Sequence, residues 1–206
     1  MNLVFDFGVV LFNWQPVKLV ASTFPEQAQT DEKARQLAHL IFGHEDWHAF
    51  DRGMLEVDEV VRRTSIRLSL PHAPLMGLVS GIGDRLTPVE DSVAVVKGLL
   101  QRRRQSDDLR LYFLSNMPMP YARTLEQRHE FLKDFDGGVF SGDVKLIKPE
   151  PAIYAMLESR FGLVPHQTVF IDDLKANVAA ARVRGWHAIH FESPAQMARD
   201  LEVFVD

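Results

Sequence analysis

The chain has 206 residues, of which 46% are hydrophobic and 25% are charged, and its formal net charge is −5. This composition is typical of a soluble folded protein with one domain or one domain and an insertion. The acidic balance argues against a general nucleic-acid or anionic-membrane surface. Cysteine is absent, which excludes disulfides, thiolate metal sites and a cysteine nucleophile. The start lacks a basic signal-peptide region and no run of about 18 apolar residues occurs, so we expect a cytoplasmic chain with no membrane partner.

Five short apolar segments have the β-favouring composition of buried strands. In chain order they are Leu3–Phe7, Leu109–Leu114, Gly138–Phe140, Thr168–Ile171 and His187–Phe191. After residue 87 these segments alternate with helical patterns. Such alternation predicts βαβ units and a mostly parallel sheet.

Capping patterns and glycines set the bounds of the helices. Thr87-Pro88-Val89-Glu90 is a capping box that predicts a helix ending at Arg102-Arg103-Arg104, and Ser193-Pro194-Ala195-Gln196 repeats the box before the last helix. Helices are also predicted over Pro149–Phe161 and Leu174–Arg184, because a glycine follows each of them.

Residues 15–86 differ from the rest of the chain. They contain helical periods, such as Asp31–Phe42 and Val57–Leu70, and no convincing strand. The sequence therefore predicts an α/β fold, with a Rossmann-like parallel sheet formed by residues 1–14 and 87–206. Residues 15–86 are predicted to be a helical insertion after the first strand.

Polar side chains stand at the ends of three predicted strands. The first strand ends in Asp6, the second in Ser115-Asn116 and the fourth in Asp172-Asp173. Parallel strands bind ligands at their carboxyl ends, so these groups are predicted to meet at one edge. The alternative is that each polar residue only caps the helix that follows. Three such ends, with Lys148 preceding another helix, favour a site.

Three converging carboxylates repel one another, and a hard divalent cation such as Mg²⁺ resolves that repulsion. The Lys148 ammonium and the Ser115 hydroxyl would suit an anion such as phosphate beside the metal. An aspartate next to a phosphoryl group can attack it and form an aspartyl-phosphate. The residues thus indicate phosphoryl transfer.

Four segments in this order resemble the motifs of the haloacid dehalogenase-like hydrolases. They are Val4-Phe5-Asp6-Phe7-Gly8-Val9-Val10, Phe113-Leu114-Ser115-Asn116, Lys148-Pro149-Glu150 and Ile171-Asp172-Asp173. The resemblance implies that Asp6 is the nucleophile and that Lys148 holds the phosphate against it. The implied phosphate-binding residues are Ser115, Asn116 and Lys148. The implied Mg²⁺ ligands are Asp6, the carbonyl of Gly8, Asp173 and, assisting, Asp172.

The insertion resembles the helical cap of the same family, which closes over the site and selects the substrate. Asp51-Arg52-Gly53 resembles a turn that recurs in such caps. The branch most similar to this chain holds sugar-phosphate phosphatases, such as those acting on glucose 1-phosphate, and the amino-terminal phosphatase domain of epoxide hydrolases. We therefore expect a small phosphorylated metabolite as substrate, with a sugar phosphate favoured, and a monomer or homodimer.

Gly8 departs from the family pattern, because many members have there an aspartate that acts as general acid and base. A missing acid fits a substrate whose leaving group needs little protonation, and His48 and Asp51 are candidate replacements. Two alternatives stay open: a 2-haloacid dehalogenase, which uses the same nucleophile without metal, and a binding protein with weak activity. His44-Glu45-Asp46-Trp47-His48 also fits a zinc-protease pattern, but it lacks a third ligand and is not favoured.

Overall fold

The computed structural model describes residues 1–103 and 108–205. At its centre lie the strands β1 (Asn2–Phe5), β2 (Arg110–Ser115), β3 (Gly137–Phe140), β4 (Thr168–Asp172) and β5 (His187–His190). They form one parallel sheet in the order β3-β2-β1-β4-β5. The prediction of an α/β fold built on a parallel sheet is therefore confirmed.

Strand β1 lies in the middle of the sheet, between β2 and β4. Its last residue, Phe5, is opposite Phe113 of β2 and Ile171 of β4. The strand order reverses beside β1, because the chain builds β2 and β3 on one side and β4 and β5 on the other. A crevice opens at the carboxyl end of such a switch point, which places the ends of β1, β2 and β4 around one site.

The sheet is buried on both faces, as its short apolar strands require. Along β1, Leu3 and Phe5 join one hydrophobic cluster, whereas Val4 joins a second cluster on the opposite face. The first cluster also contains Trp47 and Phe50 of the insertion. One face of the sheet and the insertion therefore share a continuous core.

The insertion is entirely helical in its regular structure. Its helices are α1 (Pro16–Thr23), α2 (Asp31–Phe42), α3 (Glu45–Asp51), α4 (Val57–Leu68), α5 (His72–Ser80) and α6 (Ile82–Arg85). The chain enters and leaves the insertion side by side. Asn13 N donates to Thr87 O at 2.8 Å, and Val89 N donates to Leu11 O at 2.8 Å.

The remaining helices cover the sheet. They are α7 (Glu90–Arg103), α8 (Met119–Arg128), α9 (Ser141–Val144), α10 (Pro151–Phe161), α11 (Lys175–Val183) and α12 (Pro194–Val205), with 3-10 turns at Glu130–Asp134 and Pro165–Gln167. At the start of α12, Gln196 N donates to Ser193 Oγ at 3.2 Å, as the predicted capping box requires.

Some bounds differ from the prediction for identifiable reasons. Strand β1 ends at Phe5, two residues early, because the chain turns back and both Leu11 N and Phe12 N donate to Phe7 O. The helix predicted from Pro149 begins at Pro151, since Glu150 precedes a proline and takes an extended ψ of 132°. Helix α7 ends at Arg103, and the predicted last residue, Arg104, lies outside the described residues.

Among the described residues, the helices are all too short or too polar to cross a bilayer.

Candidate active site

The ends of three neighbouring strands bring the predicted acids together. Asp6 directly follows β1, Asp172 is the last residue of β4 and Asp173 comes next. One carboxylate oxygen of each lies within 4.8 Å of the others. Within the described ranges these three form the sole group of three or more metal-type side chains so close together. The convergence predicted from the strand ends is therefore present.

Asp6 is buried, and one of its oxygens is held in place. Oδ1 accepts a hydrogen bond from the Phe7 N–H at 2.7 Å and lies 2.8 Å from Lys148 Nζ. No described residue makes a hydrogen bond or ion pair to Oδ2. Asp6 also lines a cavity, and Oδ2 is its oxygen without a partner among the described residues.

Lys148 reaches the site from the loop between α9 and α10. Its ammonium lies 2.8 Å from Asp6 Oδ1 and 2.6 Å from Asp172 Oδ2, and its side chain is 1% exposed. The Asn116 side chain fixes the loop, because Asn116 Oδ1 accepts from Lys148 N at 2.8 Å and Nδ2 donates to Lys148 O at 3.0 Å. The Asn116 amide, predicted to bind phosphate, is thus engaged with the Lys148 backbone.

Asp172 is fully buried and surrounded by protein donors. Its Oδ1 accepts from Leu174 N at 2.8 Å and from Asn177 Nδ2 at 3.0 Å, while Oδ2 accepts from Asn177 Nδ2 at 3.0 Å and from Lys148 Nζ at 2.6 Å. Asp173, by contrast, lines the cavity. Asp172 therefore orients Lys148, and Asp173 is the acid of this pair that faces the cavity.

Asn177 has a role that its place in the sequence does not reveal. In the sequence it is the first of three small or polar residues at intervals of four, which indicates only close helix packing. In the structure it lies in the first turn of α11 and donates to both oxygens of Asp172. The signal that could have identified it is its position five residues after a strand-end acid.

The burial of these charges shifts their titration. Burial raises the pKa of Asp6 to about 7, and the charges of Asp172 and Asp173 add to the rise while Lys148 opposes it. Burial likewise raises the pKa of Asp173 to about 6, with Asp172 adding to the rise. For Lys148, burial lowers the pKa, but the charges of Asp172 and Asp6 outweigh burial and the pKa is raised. A positive charge is thus stabilised in this site.

A cavity of about 270 Å³ opens above these residues. Its floor contains Asp6, Gly8, Ser115, Lys148 and Asp173. Its walls come from the insertion and from the loops after β1, β2 and β4, and they are mainly apolar: Val9, Trp14, Phe42, Trp47, Ile82, Leu86, Met117, Pro118, Tyr121 and Leu174.

The loop after Asp6 has an uncommon backbone. Val9 lines the cavity with a φ of 63°, which is rare for a β-branched residue, and Val10 N donates back to Gly8 O at 2.7 Å. Such local strain is often kept at functional sites. Gly8 itself has room for a side chain, because a Cβ there would meet only Trp14 Cβ, at 3.9 Å.

The two histidines of the zinc-protease pattern have separate surroundings. His44 is the N-cap of α3, where its Nδ1 accepts from Asp46 N at 3.1 Å. His48 lies one turn later, exposed at the rim of the cavity. Trp47 between them is buried in the core.

Comparison with known proteins agrees with this geometry. A model of the haloacid dehalogenase-like hydrolases matches residues 14–185. A sesquiterpene phosphatase from Aspergillus oryzae is 24% identical over 98% of this chain and 95% of its own length. The matched span of the family model starts after Asp6, so the position of that residue rests on the geometry of the site.

Solved structures show the same fold. A magnesium and inorganic phosphate complex of a haloacid dehalogenase family enzyme from Bacteroides thetaiotaomicron has a TM-score of 0.67, with 20% identity and 93% of each chain covered. The L-2-haloacid dehalogenase from Xanthobacter autotrophicus has a TM-score of 0.65, with 18% identity over 98% of this chain and 82% of its own. Because the family model covers most of the sequence, the chain belongs to the haloacid dehalogenase-like hydrolases and is a hydrolase.

Proposed function

We propose that this chain is a magnesium-dependent phosphatase that hydrolyses a small phosphorylated metabolite through a phosphoryl-Asp6 intermediate. The observation that carries the proposal is the convergence of Asp6, Asp172 and Asp173 within 4.8 Å, with the Lys148 ammonium against Asp6. Its full-length relative from Aspergillus oryzae is a phosphatase by name. We further propose that residues 15–86 act as the cap of this site.

The donor set fits magnesium. Asp6 and Asp173 both line the cavity, and burial, together with the neighbouring carboxylates, raises the pKa of Asp6 to about 7 and that of Asp173 to about 6. A cation bound between them would offset this cost of holding negative charge. Gly8 lines the same cavity. Carboxylate and carbonyl oxygens with waters are what Mg²⁺ prefers. We expect Asp6, Asp173 and the Gly8 carbonyl to hold the ion, whereas the oxygens of Asp172 are occupied by protein donors.

The protein residues divide the chemistry among them. When bound, Mg²⁺ would offset the charge of the phosphoryl oxygens. Asp6 Oδ2 would attack phosphorus while Oδ1 stays held by the Phe7 N–H and Lys148. The ester P–O bond breaks, its electron pair leaves with the alcohol oxygen, and water then cleaves the aspartyl-phosphate. Lys148 and the Ser115 hydroxyl would bind the phosphoryl oxygens throughout.

The substrate class has two candidates. The resemblance to sugar-phosphate phosphatases favours a sugar phosphate. The cavity favours a more apolar alcohol, because His48 and Asp51 are the polar side chains that the insertion contributes to its lining. The Tyr121 hydroxyl donates to Val79 O at 2.8 Å and is already engaged. A sugar buries many hydroxyls that each need a partner, whereas the hydrocarbon part of an isoprenoid phosphate does not. The relative from Aspergillus oryzae is a sesquiterpene phosphatase by name.

A small panel of esters tests these choices. We expect Mg²⁺-dependent release of phosphate from p-nitrophenyl phosphate. Faster turnover of prenyl phosphates than of hexose phosphates would show that the apolar walls of the cavity select the alcohol. Faster turnover of hexose 1-phosphates would favour the sugar-phosphate prediction. Release of chloride from 2-chloropropionate in excess EDTA, without phosphatase activity, would favour the dehalogenase alternative. Binding of phosphate without turnover of any ester would favour the binding protein. Cytoplasmic location and a monomeric or homodimeric state stay predictions.

A further inference from the structure

Gly8 supplies no carboxyl group that could protonate the leaving alcohol, and Lys148, on the floor of the cavity, is engaged with Asp6 and Asp172. Asp51, which belongs to the insertion, lines the same cavity as Asp6. No hydrogen bond or ion pair to its carboxyl group exists among the described residues, although its backbone is well connected. Asp51 is half-buried, and as a lining residue of this cavity it borders the space where a substrate would bind.

The turn Asp51-Arg52-Gly53 is fastened to the loop that carries Lys148. Ser141 Oγ donates to Asp51 O at 2.6 Å, and Lys145 Nζ donates to Gly53 O. Arg52 and Glu150 form a two-point ion pair, with Arg52 Nη1 donating to Oε2 at 2.8 Å.

Glycine is required at the end of this turn. Gly53 has a φ of +66°, and a Cβ there would lie 2.6 Å from Gly142 O. Because glycine has no Cβ, the turn can pack directly against the backbone of Gly142. Asp51 is therefore positioned by the same segment, residues 141–150, that positions Lys148.

The surroundings of Asp51 favour its protonated form. Burial raises the pKa of Asp51 well above its ordinary value. The titratable groups that line the same cavity are His48, Tyr121, Asp6, Lys148 and Asp173. Arg52 and Lys145 are the charged groups at the turn itself, and they are paired with Glu150 and Gly53 O. A carboxyl group that keeps its proton near neutral pH can act as a general acid.

We propose that Asp51 is the proton donor that replaces the missing acid at Gly8, a proposal that rests on the phosphatase function proposed above. As the ester P–O bond breaks, the alcohol oxygen takes the electron pair and receives the Asp51 proton. The Asp51 carboxylate then takes a proton from the water that attacks phosphorus of the aspartyl-phosphate. Inorganic phosphate leaves, Asp6 returns to its carboxylate and Asp51 regains its proton.

His48 is the competing donor, because it also lines the cavity. It is exposed at the rim, however, whereas Asp51 is half-buried and fixed through its backbone. Since the turn is anchored by the carbonyl of Asp51 and not by its carboxyl group, Asp51→Asn keeps every described anchoring contact. His48→Asn is the matched control.

The test isolates the cleavage of the ester bond. With Mg²⁺ present and enzyme in excess, a single turnover is followed by release of the alcohol from p-nitrophenyl, phenyl and simple alkyl phosphates. We expect Asp51→Asn to slow the alkyl esters by about 10²–10⁴-fold and p-nitrophenyl phosphate by less than about tenfold, because p-nitrophenolate leaves without a proton. With p-nitrophenyl phosphate, Asp51→Asn should also accumulate phosphorylated enzyme, because Asp51 no longer takes the proton of the attacking water; acid quenching and intact-protein mass spectrometry detect it.

A second variant tests the role of Asp51 by adding a carboxyl group instead of removing one. Gly8→Asp in the Asp51→Asn background should recover part of the alkyl-ester rate, because a Cβ at position 8 has room: apart from its chain neighbours, the described atom within 4 Å of it is Trp14 Cβ, at 3.9 Å.

Three results would overturn the inference alone: an equal loss for all leaving groups in Asp51→Asn, no loss in that variant, or a selective loss in His48→Asn instead. A wild-type enzyme that releases alcohol from no ester would overturn the proposed function and this inference together. The two failures are therefore distinct.

Discussion

Arg52 at the end of α3 and Glu150 at the start of α10 form a two-point ion pair across 98 residues of sequence. Their side chains are 28% and 38% exposed, so solvent screens part of the attraction. Glu150 is two residues from Lys148, and Arg52 follows Asp51. The ion pair therefore links the turn of the insertion that carries Asp51 to the loop that carries Lys148. The pair should contribute only modestly to the free energy of unfolding. Its loss should nevertheless impair catalysis, because the pair holds the turn next to the active site.

Arg52→Ala tests this link. We expect it to lower the free energy of unfolding by about 1 kcal/mol and to lower kcat/KM by more than that loss of stability explains, since the turn that holds Asp51 loosens. Chemical denaturation and steady-state kinetics measure the two effects. The exposed pair Arg62–Glu59 within α4 supplies the control, because Arg62→Ala should leave kcat/KM unchanged. Additive effects of Arg52→Ala and Glu150→Ala would show that the pair does not act as a unit.

The raised pKa of the Asp51 carboxyl group predicts a pH-dependent stability. Burial raises its pKa in the folded state above the unfolded value of about 3.9. The folded state therefore binds the Asp51 proton more tightly than the unfolded state does. The free energy of unfolding should decrease as the pH rises from about 3.9 through the pKa of Asp51 in the folded state. Asp51→Asn removes the ionisation, so the variant should be more stable than the wild type at neutral pH.

The measurement is denaturant unfolding of both proteins at a series of pH values. The excess stability of Asp51→Asn should shrink as the pH falls toward about 4. A difference that stays constant across the range would mean that the ionisation of Asp51 does not cost stability.

Magnesium binding should separate the two adjacent acids. Asp173 lines the cavity, so Asp173→Ala should abolish both magnesium affinity and activity. Asp172 has both oxygens bonded to protein donors, among them Lys148 Nζ at 2.6 Å. Asp172→Ala should therefore reduce kcat through Lys148 while most of the magnesium affinity remains.

Isothermal titration of each variant with MgCl₂ measures the magnesium affinity, and activity assays measure kcat separately. Asn177→Ala is the milder companion of Asp172→Ala, because it removes donors to Asp172 and leaves the acid in place. Full wild-type activity in excess EDTA would contradict the metal site.

Much of the fold follows from local patterns. The alternation of apolar strands with capped helices predicts the parallel sheet, and the polar residues at the strand ends predict the convergence of Asp6, Asp172 and Asp173. These features depend on neighbours in sequence and on one general rule about parallel sheets. Helix α2 was predicted at its observed bounds, Asp31–Phe42, because its apolar residues recur at helical spacing.

Other features depend on contacts that no local pattern contains. The Asn116 side chain hydrogen-bonds the backbone of Lys148, 32 positions away, and Arg52 pairs with Glu150, 98 positions away. Helix α5 was not predicted individually, because its sequence is apolar on most sides and lacks a clear periodic stripe. The apolar character of the cavity likewise emerges only when the insertion lies against the core.

The central claim is that Asp6 attacks phosphorus and becomes phosphorylated. Asp6→Asn should keep the fold and lose turnover by several orders of magnitude, since a neutral amide is a poor nucleophile. The most direct measurement mixes wild-type enzyme with p-nitrophenyl phosphate and Mg²⁺, quenches in acid within one turnover and maps the modified peptide by mass spectrometry. The account predicts one phosphoryl group on Asp6 and none in Asp6→Asn. Rapid turnover with no phosphorylated enzyme, or the phosphoryl group on another residue, would contradict it.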